Sequence, residues 1–310
     1  MITGELKNKV DQVWDAFWSG GISNPLSVVE QITYLLFIKR LDEIHTRREK
    51  KAKFSGKKIV DPVFGPKQQD FRWSRFKDMA PAEIFELFRR PDGVFDFMKN
   101  LHTNGDSSYA QFMKDAVFMI PTASLLDRVI GMLDSIPMDD RDTKGDLYEY
   151  ILSNLSTAGK NGQFRTPRHI IKMMVEMMAP KPDDLICDPA SGTCGFLMAA
   201  GEYLRDHRPK MFTDRAKVKH FNERMFTAYD FDATMLRIGA MNLLLHGIEQ
   251  PTIQGQDSLS EEMTTGEAFT LVLANPPFKG SIDEENISKS LRQMVKTKKT
   301  ELLFLALFLP

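Results

Sequence analysis

Apolar residues recur at helical spacing along the first half of this chain. Leu6, Val10, Val13, Trp14 and Phe17 share one face of a helix that Gly20 and Gly21 should end. Asn24 and Pro25 then mark a second start, with Asn24 placed to cap the helix and Pro25 at its first position. The apolar face of that helix runs through Val28, Val29, Ile32, Leu35, Leu36 and Ile44. Pro81, Pro91, Pro121 and Pro137 punctuate shorter helical segments. Leu125, Leu126, Val129, Ile130 and Leu133 form a further stripe, which reads as core.

After about residue 160 strands alternate with helices. Leu185-Ile186-Cys187 reads as a strand, Phe196 to Leu204 as a helix, and Phe226 to Tyr229 as a second strand. Ala233 to His246 reads as a helix stopped by Gly247, Thr252-Ile253 as a weak strand, and Phe269 to Leu273 as a fourth strand. The alternation predicts an α/β fold with a doubly wound Rossmann-like sheet, which binds ligands at the C-terminal ends of its strands. The change of period predicts a helical N-terminal domain over residues 1–155 and an α/β domain over 156–310.

Composition fits that picture: 310 residues suffice for about two domains, with 42% hydrophobic and 27% charged positions. No apolar run reaches the roughly 18–20 residues of a membrane span, and the N-terminus lacks an apolar signal core, so a cytoplasmic protein without membrane contact is expected. The two cysteines, Cys187 and Cys194, match no zinc spacing; they are expected to be reduced and buried, with no metal site. The formal charge of −1 lacks the positive excess of a protein that grips DNA alone. Any grip on DNA then needs a local basic patch or a partner. Arg47 to Lys58, with seven Lys or Arg and one Glu, reads as a solvated helix end and loop or as a nucleic-acid or partner contact.

The chemistry concentrates at the predicted strand ends. Asp188-Pro189-Ala190-Ser191-Gly192-Thr193-Cys194-Gly195 lies between the first strand and its helix. Gly192 and Gly195 let backbone approach a ligand, yet the loop lacks the G-x-G-x-x-G of a nicotinamide site. A leading carboxylate, Asp188, repels phosphate and suits a cationic ligand such as S-adenosylmethionine, although a plain strand–helix turn explains the same residues. Asp230 closes the second strand and can accept from two ribose hydroxyls; the alternative is a helix cap, a role Asp232 can fill. Asp257, after the third strand, is either an acceptor for an adenine amino group or a turn former. Gln163-Phe164-Arg165-Thr166-Pro167-Arg168 opens a helix and can hold a small carboxylate, or Thr166 simply caps that helix.

Asn275-Pro276-Pro277-Phe278 follows the fourth strand. An amide, two prolines that fix φ and donate no hydrogen bond, and an aromatic ring make a rigid loop able to grip a planar amino group.

In this order the segments from Phe164 to Pro167, Asp188 to Gly195, Asp230, Asp257 and Asn275 to Phe278 resemble the γ-type amino-methyltransferases that act on DNA. Gly145 to Tyr150, Met241 to Ile248 and Phe37 to Asp42 extend the resemblance to the modification (M) subunit of type I restriction–modification systems. The resemblance implies an N6-adenine methyltransferase that uses S-adenosylmethionine. It implies cofactor contacts from Gln163 to Arg168, Ser191 to Thr193 and Asp230, help from Asp188 and Asp257, and a flipped adenine held by Asn275 to Phe278. It also implies double-stranded DNA as substrate, a separate specificity (S) subunit, a second M subunit and a restriction (R) subunit. The family's sheet continues with further strands, so a chain ending at Pro310 is expected to be truncated at its C-terminal strands. A non-catalytic assembly fragment and a methyltransferase acting on protein glutamine are the alternatives.

Overall fold

The computed structural model describes residues 4–60, 62–101, 110–136, 141–157, 165–261, 263, 269–278 and 282–309. The chain forms two compact units, Met1–Gly162 and Gln163–Pro310. The division falls past residue 155 because a helix runs on to Thr157.

The first unit is helical among its described residues: α1 (Gly4–Ser19), α2 (Pro25–Ser55), α3 (Trp73–Phe76), α4 (Pro81–Arg89), α5 (Val94–Asn100), α6 (Ala123–Asp134) and α7 (Arg141–Thr157). Its local signals act as the sequence predicts. The Asn24 side chain accepts from the Leu26 amide and Pro25 opens α2. Gly21, at φ +95°, turns the chain after α1. The stripe from Leu125 to Leu133 on α6 is buried. Rings of Phe64, Phe71 and Phe97 pack together, as do those of Phe76, Phe88, Phe95 and Phe118.

Several polar groups buried among these helices are paired. Arg72 donates to Asp42 at 2.6 Å and reaches both oxygens of Glu49 at 3.0 and 2.9 Å. Asp42 also accepts from the Ser74 amide at 2.8 Å. The Thr33 and Tyr148 hydroxyls share a hydrogen bond of 2.7 Å that ties α7 to α2.

Among its described residues the second unit starts with α8 (Arg168–Met178) and carries four strands, β1 (Ile186–Asp188), β2 (Phe226–Asp230), β3 (Thr252–Gly255) and β4 (Leu271–Val272). All pairings are parallel and the order is β3-β2-β1-β4. The helices α9 (Gly195–His207), α10 (Arg215–Glu223) and α11 (Ala233–Leu245) pack on this sheet. Two short helices follow, α12 (Lys289–Met294) and α13 (Thr300–Leu307), joined through Leu259, Ile287, Leu291, Leu303 and Phe304.

Strand boundaries move from those read in the sequence. β1 is shifted one residue to include Asp188, and β4 is shorter than Phe269 to Leu273. Two registered pairs, Ile186 with Leu271 and Cys187 with Val272, hold β4; the Leu273 amide still donates to Cys187. Pro276 and Pro277 have no N–H with which to continue a ladder. The topology matters for function. The chain steps outward from β1 to β2 and β3, then returns to the other side of β1 for β4. A crevice therefore opens beyond the C-terminal ends of β1 and β4, where the winding reverses.

Candidate active site

Several candidate residues of the second unit lie at the strand ends around that reversal. Asp188 ends β1, Asp230 ends β2, and Asn275 follows β4. The loop after β1 is fixed from several directions. The Ser191 amide donates to the Tyr229 carbonyl, and the Gly192 amide donates to Asp230 Oδ2 at 2.8 Å. Ser258 Oγ donates to the Pro189 carbonyl at 2.6 Å, and Asn242 Nδ2 to the Thr193 carbonyl at 2.9 Å. Gly239 makes the last contact possible: a Cβ there would lie 2.6 Å from Cys194 Sγ and 3.1 Å from the Gly192 carbonyl. Gly192 has φ +50° and open space where a side chain would be.

The segment before α8 joins the same loop. Arg165 Nε donates to Thr193 Oγ1 at 3.0 Å, and Asn275 Nδ2 donates to Thr166 Oγ1 at 2.9 Å. One short segment thus touches both the glycine loop and the Asn-Pro-Pro-Phe loop. Thr166 serves Asn275 here, whereas α8 is capped at Pro167 without a side-chain hydrogen bond. Arg168 turns to Glu202 on α9, with Nη2 to Oε1 at 3.0 Å. Gln163 and Phe164 lie outside the described residues. Asp257 Oδ1 accepts from the Leu259 amide at 2.9 Å, the geometry of a turn. Pro277 accepts from Thr300 Oγ1 at 3.4 Å, anchoring the loop to α13. The Phe278 ring is half exposed.

The electrostatics are those of an unfinished pair. Burial pushes Asp188 up to about 8, with the Asp230 charge adding to it and one hydrogen bond from the Ala190 amide opposing it. Burial also raises Asp230, against hydrogen bonds from the Asp232 and Gly192 amides. Among the described residues, no Lys or Arg forms an ion pair with either acid. The buried Ser191 hydroxyl lies beside the Cys194 thiol, a weak partner, and has no nitrogen or oxygen partner among the described residues. Two under-compensated carboxylates, a hydroxyl with only a thiol beside it and open space at Gly192 fit a ligand with hydroxyl groups and positive charge.

Cys187 and Cys194 are buried and unpaired, and burial raises both thiols. Among the described residues no cluster of His, Cys, Asp or Glu could hold a metal ion, and no helix is long and apolar enough to cross a membrane.

The sequence alone assigns no individual role to two residues here, Phe231 and Asn242, the latter within the stretch Met241 to Ile248. Phe231 follows Asp230 directly and is 81% exposed at the strand end, a ring surface beside the carboxylate. Its signal is an aromatic residue next to a strand-terminal acid. Asn242 is a fully buried amide in the apolar helix α11, and its signal is a polar residue on an otherwise apolar face.

Known proteins resemble this chain in both of its units. The HsdM N-terminal domain model matches residues 6–133. The type I restriction enzyme EcoEI methylase subunit of Escherichia coli is 29% identical over 300 residues, covering 93% of this chain and 59% of that protein. The chain thus spans less than two thirds of that relative. A modification subunit attributed to a type I restriction enzyme of Vibrio vulnificus YJ016 superposes with a TM-score of 0.75 at 25% identity, covering 98% of this chain and 66% of that one. A type I methyltransferase subunit from Streptococcus thermophilus shares the fold, with a TM-score of 0.72 at 17% identity over 97% of this chain and 70% of its own. The N-6 DNA Methylase model matches residues 139–309, more than half the chain and all of the site just described, and the chain belongs to that family.

Proposed function

We propose that this chain methylates adenine N6 in double-stranded DNA as the modification subunit, or the catalytic part of one, in a type I restriction–modification complex. The observation that carries the reading is the short segment Arg165-Thr166, which bonds the glycine loop through Thr193 and the amino-gripping loop through Asn275. S-adenosylmethionine supplies an electrophilic methyl group when bound. Asp230 takes its ribose hydroxyls, its carboxylate keeping acceptor capacity beyond the backbone amides of Gly192, Asp232 and Phe231 that it already engages. Ser191 and Gly192 line the same site, Arg165 takes the carboxylate end, and Phe231 offers a face for the cofactor's adenine.

The target base needs a different kind of help. The N6 lone pair is delocalised into the ring and is a weak nucleophile. With Asn275 Nδ2 held by Thr166, its Oδ1 faces the other way and accepts one N6 hydrogen. The Pro276 carbonyl accepts the second, Pro277 stiffens the loop, and Phe278 stacks on the flipped base. Both acceptors strengthen their bonds as positive charge develops on nitrogen, so they favour the transition state over the ground state. No strong base is required, because the product ammonium is acidic. The specificity subunit, a second M subunit and a restriction subunit belong to this reading as partners, in keeping with a chain of net charge −1.

The test is transfer of labelled methyl from S-adenosylmethionine to duplex DNA in the presence of the specificity subunit, with the modified base identified. N6-methyladenine is expected, and Asn275→Ala is expected to lower the rate on the order of 100-fold or more. Label on protein instead of DNA sinks the reading in favour of a glutamine substrate. Tight cofactor binding without any transfer favours an assembly role.

A further inference from the structure

We propose that the C-terminal half of α2 is a contact surface for the phosphate backbone of duplex DNA, built by Arg47, Lys50 and Lys51 and continued by Lys53, Lys57 and Lys58. The proposal rests on the DNA reading above and gives a role to the helical unit, to which that reading assigns no chemistry.

The stretch Arg47 to Lys58 is mostly ordered helix. α2 runs through it to Ser55 and ends at Gly56, whose φ of +65° lets its amide bond back to the last turn. Arg47, Lys50, Lys51 and Phe54 follow the i, i+3, i+4, i+7 spacing of one helix face, while Ala52 is buried against the unit. Arg47, Lys50, Lys51, Lys53, Lys57 and Lys58 are all exposed. Among the described residues no carboxylate forms an ion pair with any of them. The one acid of the stretch, Glu49, gives both its oxygens to Arg72. Its charge is thereby matched by Arg72, and six exposed cations, Arg47, Lys50, Lys51, Lys53, Lys57 and Lys58, share this stretch. The whole chain carries −1, so this is a local concentration of charge and not a basic background.

The groups behind the face are already occupied. Arg47 and Lys50 border a cavity of about 340 Å³, together with Lys39, Asp42, Glu43, Thr46 and Trp73. Lys39 donates to the Leu133 carbonyl and lies over the Trp73 ring. Asp42 holds Arg72 and the Ser74 amide, and Glu43 holds Lys144 and Arg40. Arg47 and Lys50 are the cations left facing outward. Flexible cations repeated along a helix face, without buried donors, match a regular polyanion and not a small anion. Phe54, 96% exposed on the same face, is the feature that an apolar protein partner would use instead.

The test titrates the full chain against a labelled duplex of arbitrary sequence by fluorescence anisotropy over a range of salt. The parent is compared with the triple variant Arg47→Gln, Lys50→Gln, Lys51→Gln and with Phe54→Ala. The triple variant is expected to bind about 10-fold more weakly or worse at low salt, with the slope of log K against log salt reduced by roughly 0.9 per lost phosphate contact. Its melting temperature and S-adenosylmethionine affinity are expected to match the parent. Phe54→Ala is expected to bind like the parent. Unchanged affinity and slope in the triple variant, no duplex binding by the parent, or a loss confined to Phe54→Ala overturns the proposal. Failure of the methylation reading shows separately, as absence of N6-methyladenine from DNA.

Discussion

In the helical unit Asp42 is buried against the Arg72 guanidinium, while in the α/β unit Asp188 is buried and Asp230 half-buried at strand ends, with no cation paired to them among the described residues. The consequences for charge are opposite. Burial alone would raise Asp42, but hydrogen bonds from Ser74 and Arg72 outweigh it and hold the carboxyl low. The Arg72 hydrogen bonds lower Glu49 directly. Asp188 and Asp230 have only backbone amides to oppose burial, and both are raised. A self-completed cluster of charges holds helices together. An incomplete one awaits a positive partner, and the site at the β1–β4 reversal is where that partner is expected.

The contrast can be broken most strongly from its completed side. Arg72→Met leaves Asp42 buried without its cation, and removing one partner of a buried pair costs about 3–5 kcal/mol. Chemical denaturation is expected to show a loss of that order; a loss below about 1 kcal/mol would place the pair with surface ion pairs of small worth.

The incomplete side predicts a smaller effect that depends on pH. Folding raises the Asp188 carboxyl from its ordinary range to about 8, so the native state binds that proton more tightly than the unfolded chain. The stability it supports is full below the ordinary carboxyl pKa and is lost as pH rises towards about 8. Asp188→Asn keeps an acceptor for the Ala190 amide but has no charge to bury. Its melting temperature is expected to match the parent near pH 4 and to exceed it progressively towards pH 8, at roughly 2–4 °C for each kcal/mol regained. Parallel curves for the two proteins contradict this account.

Which parts of the molecule were legible in the sequence follows the same division between local and distant causes. The cap at Asn24, the turn at Gly21 and the core stripe on α6 depend on neighbours a few residues away, and all could be read. So could the strand–helix alternation that puts Asp188, Asp230 and Asn275 at strand ends. The bond from Asn275 to Thr166 joins segments on opposite sides of the sheet region in sequence, and periodicity carries no trace of it. The same holds for Arg72, Asp42 and Glu49, which sequence spacing does not connect. Asp257 was ambiguous locally, and the structure gives it a turn bond to Leu259 without removing its outer oxygen from consideration. Phe231 was passed over because a single aromatic residue has no period to announce it.

The central claim is that the under-compensated acids of the second unit form a site for S-adenosylmethionine, with Asp230 on the ribose. Calorimetric titration of the cofactor into the full chain and into Asp230→Asn tests it directly. Hydrogen bonds to a charged group are worth about 1.5–3 kcal/mol each, so the account predicts saturable binding by the parent and a loss of roughly 10- to 100-fold or more in the variant. Equal affinity in the two proteins, or no binding by the parent, would contradict the account.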